Sequence, residues 1–173
     1  MSEKTSSGGG FHEAVDASVE SRKVFLHAGM IFSSLKPHVV VTVLGSCVSV
    51  CLWDSGLRAG GINHYLVPFW NGEGLMSPRY GNVAIRKLIS KMLSLGGKRE
   101  ALVAKVFGGA SLMTESTLFT CVGERNIALA LDVLAQEGIP IVKQDVGGKS
   151  GRRIVFDTQT GSVLMKRIPH IQR

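Results

Sequence analysis

The stretch HVVVTVLGSCVSVCLWDSGLRAGGINHYLVP, residues 38–68, decides how this chain folds. Its opening, HVVVTVL (38–44), is apolar and β-branched and is bounded by Pro37 and Gly45, which is the pattern of a buried strand. CVSVCLW (47–53) alternates. Cys47, Ser49, Cys51 and Trp53 share one face of an extended segment, and Val48, Val50 and Leu52 share the other. Asp54-Ser-Gly56 reads as a turn. RAGGINHYLVP (58–68) reads as a further strand, in which Gly60 and Gly61 mark a bulge or a close backbone approach. A strand pair thus carries a cysteine directly after Gly-Ser and a histidine seventeen residues later.

Outward from this pair, KVFLHAGMIFSS (23–34) predicts a first strand with a turn, and FWNGEGLMSP (69–78) a loop. From Asn82 to Leu95, Ile85, Leu88, Ile89 and Met92 recur at helical spacing opposite Arg86, Lys87 and Lys91, and Gly96-Gly97 stops the helix. ALVAKVF (101–107) is a strand. GERNIALALDVLAQEG (123–138) is a second amphipathic helix, with Ile127, Leu131 and Leu134 inward. IPIVKQDV (139–146), RRIVFD (152–157) and SVLMKRI (162–168) are strands, the last two joined as a hairpin through Thr158–Gly161. Seven or eight strands with two good helices give an α+β mixture dominated by sheet, its helices covering one face. Residues 1–22 are Ser/Gly-rich and without periodicity, and are expected to be a mobile tail ahead of one domain over 23–173.

With 173 residues, 45% of them hydrophobic, the chain can bury a core without disulfides or metal. No apolar run approaches the roughly 18 residues of a membrane span. The first residues lack the apolar segment of a secretory signal, so the expected location is the cytoplasm. Three cysteines, an odd number, argue against a disulfide framework there. The net charge is +7, and the tail through Lys23 is slightly acidic, so the excess lies in the domain. Such a surface suits an acidic partner, nucleic acid or protein. The aromatics are few and not interleaved with the basic residues, which weakens the nucleic-acid alternative.

Cys47, Cys51, His64 and Cys121 are four potential metal ligands. On one strand, residues 47 and 51 are about 13 Å apart at about 3.3 Å per residue. One zinc ion takes sulfur at about 2.3 Å, so no metal site is expected, and a Cys47–Cys51 disulfide is excluded by the same distance. GGKSGRR (147–153) ends like a phosphate-binding loop, but Lys143 stands where the first glycine is required and a strand follows instead of a helix. For Cys51 and Cys121 the buried-hydrophobe reading suffices. Cys47 differs, because Gly45 and Ser46 let a substrate approach and a Gly-Ser-Cys turn can present backbone N–H donors to an oxyanion. A hairpin counted about residue 55 or 56 makes Cys47 and His64 approximate cross-strand neighbours. His27 and His38 remain alternatives as the base. Spacing alone leaves open a nucleophile with its base and a buried thiol beside a satisfied histidine.

TVLGSCVSVCLWD (42–54) and GGINHYLVP (60–68), with AKVFGGASLM (104–113), VGERN (122–126) and DVGGKSGRRIVFDTQTGSVLMKR (145–167), together resemble the CheD family of chemoreceptor glutamine deamidases. The resemblance runs in order over about residues 24–168. It implies a three-layer α/β/β sandwich, similar also to the cytotoxic necrotizing factor toxin domain, and papain-like cysteine hydrolase chemistry that needs no cofactor. It places the nucleophile at Cys47, the general base at His64 and a third, hydroxyl member at Thr42. TVLGSC is one residue shorter than the family's usual spacing, and a one-residue shift along a strand turns a side chain to the other face. The implied substrates are glutamines of methyl-accepting chemotaxis receptors, with glutamate methyl esters open to the same chemistry. A CheC-type phosphatase is an implied second partner. No membrane insertion and no nucleic acid are expected. A non-catalytic adaptor that keeps the fold and binds receptor or phosphatase is the alternative.

Overall fold

The β-branched run forms a strand over His38–Leu44, and the alternating run forms its successor over Val48–Asp54, but the two lie in different sheets. The computed structural model describes residues 22–111 and 117–169, the side chains of 117–121 excepted. In chain order the strands are β1 (Arg22–Phe25), β2 (Ile31–Ser34), β3 (His38–Leu44), β4 (Val48–Asp54), β5 (Ala59–Asn63), β6 (Leu102–Gly108), β7 (Ile141–Val146), β8 (Gly151–Asp157) and β9 (Val163–Ile168). Helices α1 (Gly81–Ser94) and α2 (Thr117–Gln136) flank β6 in sequence. One sheet runs β1-β3-β8-β9 and the other β2-β5-β4-β6-β7.

The alternation along β4 assigns its two faces. Val48, Val50 and Leu52 pack with Ile85, Leu88, Ala130 and Val133 of the helices. Cys51 turns the other way and packs with Ile62 and Phe107 against Val40, Leu44, Ile154 and Phe156 of the second sheet. The result is the expected sheet-dominated α/β/β arrangement, with one core between helices and sheet and another between the sheets. No described helix is long and apolar enough to cross a membrane.

Several elements depart from the sequence reading. The 23–34 segment is two strands in two sheets: β1 pairs parallel with β3, and β2 antiparallel with β5. The chain crosses between layers at His27–Met30, with Gly29 at φ 82°. Arg22, read as tail, opens β1 opposite His38, whereas residues 1–21 lie outside the described residues. On α2 the inward stripe is Asn126, Leu129, Ala130, Val133 and Leu134. Ile127 and Leu131 stand half-buried at its edge. The hairpin loop is Ser55–Arg58, closed by the Asp54–Ala59 pair. Its tightness comes from Arg58 at φ 50° and from Asp54 Oδ1, which accepts from the N–H groups of Gly56 and Leu57 at 2.9 and 3.0 Å.

Gly60 and Gly61 mark close approach and no bulge, since the ladder from Asp54–Ala59 to Cys51–Ile62 is regular. A Cβ on Gly60 would lie 2.7 Å from Phe156 Cζ of the opposite sheet. One on Gly61 would lie 2.8 Å from Leu88 Cδ1 of α1 and 3.1 Å from the Phe32 carbonyl oxygen. Consecutive residues of one strand thus admit the neighbouring layers from both sides. Gly61→Ala is expected to destabilise the fold by about 1–3 kcal/mol through overpacking, read as a lower denaturant midpoint at unchanged slope.

Candidate active site

Both crossings between the sheets converge on His64. Its backbone N–H donates to the Met30 carbonyl at 3.1 Å, and its carbonyl accepts from Gly29 at 2.7 Å, so the first crossing holds the residue from outside β5. Its side chain points between the sheets and is buried. From the opposite sheet, Thr42 points inward with Val40 and Leu44 of the same strand face, and Thr42 Oγ1 lies 2.8 Å from His64 Nδ1. Thr42 Oγ1 donates its single proton to the Leu26 carbonyl at 2.7 Å. The hydroxyl can therefore only accept from the imidazole, which places the ring proton on Nδ1 and leaves Nε2 as a lone pair. Thr42 thus lies on the inner face of β3, and the contact with His64 forms.

Cys47 sits in the second crossing, the Gly45–Cys47 loop between β3 and β4. Val48 and Tyr65 exchange both backbone hydrogen bonds, at 3.2 and 3.0 Å. In this register Ser49 lies opposite His64, and Cys47 is two residues further along the same face. By register Cys47 is thus displaced by two from the direct partner of His64, because the hairpin loop is longer than the turn read from the sequence. Diagonal neighbours of this kind have Cα atoms about 7–8 Å apart. Gly108, at φ 111°, lies against the loop: a Cβ there would be 2.2 Å from the Cys47 carbonyl oxygen.

Burial pushes the Cys47 thiol up, opposed by its own backbone amide. Burial also holds His64 below the ordinary histidine value. The Leu26 carbonyl works against this and the nearby His27 works with it. Burial thus disfavours the charged form of both groups, thiolate and imidazolium alike. Alkylation of Cys47 is expected to rise with pH to a midpoint above 9.0; a midpoint near neutrality would mean a standing ion pair instead. The sign for stability follows from His64. Its folded value is depressed below 6.5, so the contribution is present above that pH and is lost as pH falls, and the melting temperature is expected to drop on acidification through this range.

His27 and His38, the other histidines among the described residues, lie elsewhere. His38 Nδ1 is 2.9 Å from the Lys36 carbonyl oxygen at the far end of β3, and His27 is exposed beside Phe25. Cys51 is wholly buried in the core between the sheets, with burial driving its thiol strongly up. The Cys121 side chain lies outside the described residues. Sequence reasoning missed two buried asparagines. Asn63 Oδ1 accepts from Val50 N–H at 2.9 Å, replacing a backbone rung just before His64. Asn126 Nδ2 donates to the Ser46 and Leu66 carbonyls at 3.0 and 2.8 Å. The available signal was a polar residue in phase with Ala130 and Val133 on the inward face of α2. Beyond His64, Leu66, Val67, Leu75, Ser77, Arg79 and Tyr80 line a depression of about 510 Å³ with exposed apolar rims at Leu75 and Met76.

Fold and site together define a two-sheet α+β protein with a thiol, an imidazole and a hydroxyl gathered where the chain passes between its sheets. The chain belongs to the CheD family. The family model described as CheD chemotactic sensory transduction matches residues 69–167. A protein of Trichlorobacter lovleyi named probable chemoreceptor glutamine deamidase CheD is 47% identical over 146 residues, covering 84% of this chain and 91% of its own. One of the same name from Sulfurimonas denitrificans is 45% identical, covering 87% and 97%. Another, from Anaeromyxobacter dehalogenans, is 42% identical, covering 84% and 85%. Alignments this long necessarily include residues 42–64. Among solved structures, Neisseria meningitidis protein NMB0706 superposes with a TM-score of 0.49 at 11% identity, over 75% of this chain and 65% of that one.

Proposed function

We propose that this protein is a chemoreceptor glutamine deamidase that converts receptor glutamines to glutamates through a thioester on Cys47. The observation that carries the reading is the Leu26–Thr42–His64 chain of hydrogen bonds, which leaves a lone pair on His64 Nε2, together with a register that sets Cys47 two residues from the partner of His64. Nε2 takes the thiol proton as sulfur attacks the glutamine side-chain carbonyl carbon, and the Cys47 N–H meets the resulting oxyanion. The protonated His64 then gives its proton to the departing ammonia. A glutamyl thioester remains. Water, losing a proton to His64, displaces the thiol and yields glutamate. Methyl esters of glutamate pass through the same thioester and release methanol instead.

The net positive charge and the depression lined by Leu66, Val67 and Leu75, which opens two residues past His64, support a macromolecular substrate with acidic helices. A CheC-type phosphatase would engage the same face and compete with receptor. The test is mass spectrometry of a chemoreceptor cytoplasmic fragment incubated with the protein. A gain of about 1 Da per modified glutamine is expected, and it should vanish after alkylation of Cys47. No gain with a cognate receptor would support the adaptor instead.

A further inference from the structure

Asn126 is wholly buried on the inward face of α2. Both acceptors of its side-chain amide are carbonyls, so a flipped amide would set oxygen against oxygen and the orientation is fixed. Those carbonyls, of Ser46 and Leu66, lie just past the last rung of the β4–β5 ladder, the Val48–Tyr65 pair. Beyond it the strands part, and Val67 N–H turns away to the Arg79 carbonyl at 3.2 Å. The asparagine amide bridges the opening. The helix is tied at the same residue by the Tyr65 hydroxyl, which donates to the Asn126 main-chain carbonyl at 2.6 Å.

A peptide unit is planar and trans, so holding the Ser46 carbonyl also aims the Cys47 N–H, which points the opposite way. The flanking carbonyls are held too: Gly45 O accepts from Ala110 at 2.9 Å, and Cys47 O from Gly109 at 2.8 Å. Three successive carbonyls are drawn back into the protein. Among the described residues, none of the amides of residues 45–47 donates to a backbone carbonyl.

We propose that Asn126 is a positioning residue for acyl transfer. Through the Ser46 carbonyl it aims the Cys47 N–H at the oxyanion, and through the Leu66 carbonyl it locks that donor to the strand end bearing His64. The inference rests on Cys47 as nucleophile. It does not depend on the identity of the acyl donor.

Two reagents separate aiming from mere structure. p-Nitrophenyl acetate acetylates a thiol: the S–C bond forms, the C–O bond breaks, and p-nitrophenolate leaves by way of an oxyanion. Iodoacetamide is attacked at carbon with direct loss of iodide, and no oxyanion forms. Both reactions are followed at Cys47 by peptide mass spectrometry on the folded full chain. Asn126→Ala is expected to slow acetylation roughly tenfold to hundredfold while alkylation changes less than about threefold. If Asn126→Ala does not fold, Asn126→Ser, which keeps a short donor, is read by the same ratio. Parallel loss of both rates, or loss of neither, would overturn the proposal. Failure of the deamidase reading looks different: native Cys47 would still acetylate while receptor glutamines stay intact. If native Cys47 acetylates no faster than a free thiol, the nucleophile assignment and the Asn126 proposal fall together.

Discussion

Cys47→Ala is expected to reduce receptor deamidation by about 10⁴-fold or more, to the limit of detection, with no compensating change in substrate binding. The size follows from the chemistry. The thioester cannot form without sulfur, and among the described residues the other thiol, Cys51, faces the sealed core between the sheets. Removal of a half-buried thiol in a loop opens little volume, so the melting temperature should move only slightly. The separation of readouts matters. A variant that stays folded, still binds a receptor fragment and no longer adds about 1 Da per site isolates the nucleophile. A variant that retains activity would remove Cys47 from the mechanism, whatever its surroundings.

His64→Gln is the second large effect, a loss of about 10²–10⁴-fold in kcat with KM nearly unchanged. Glutamine can still donate to the Thr42 hydroxyl or the Leu26 carbonyl, so the hydrogen-bonded wall of the site survives, but no group remains to accept the thiol proton. The rate that remains should climb with pH as the thiol ionises unaided, and that ionisation lies high because burial pushes it up. The native profile should instead plateau from below pH 6.5 upward, since His64 is already neutral there. A mutant profile parallel to the native one would mean that His64 is not the base.

Much of this site was legible in the sequence, for definite physical reasons. The β-branched run 38–44 is bounded by Pro37 and Gly45 and coincides with β3, and the alternation of 47–53 assigns the faces that the two cores confirm. Helix α1 was legible because its apolar stripe is unbroken. The division of 23–34 between two sheets was not, since a strand's own residues do not name its partner. The phase of α2 was legible in part: Leu134 is inward and Ile127 packs on the edge of the core, but the centre of the inward face also holds Asn126, a polar residue whose partners are main-chain carbonyls far away in sequence. Thr42 was legible as a hydroxyl, but its face was not, and the regular β3–β8 register through Leu44 sets it.

The two crossings make the site a joint between layers. Thr42 and Leu26 come with one sheet, and His64 comes with the other. The Nδ1–H tautomer of His64 therefore holds only while the layers are seated on each other. A change that loosens the fit of Phe156 over Gly60, remote from the imidazole, is expected to loosen that tautomer as well.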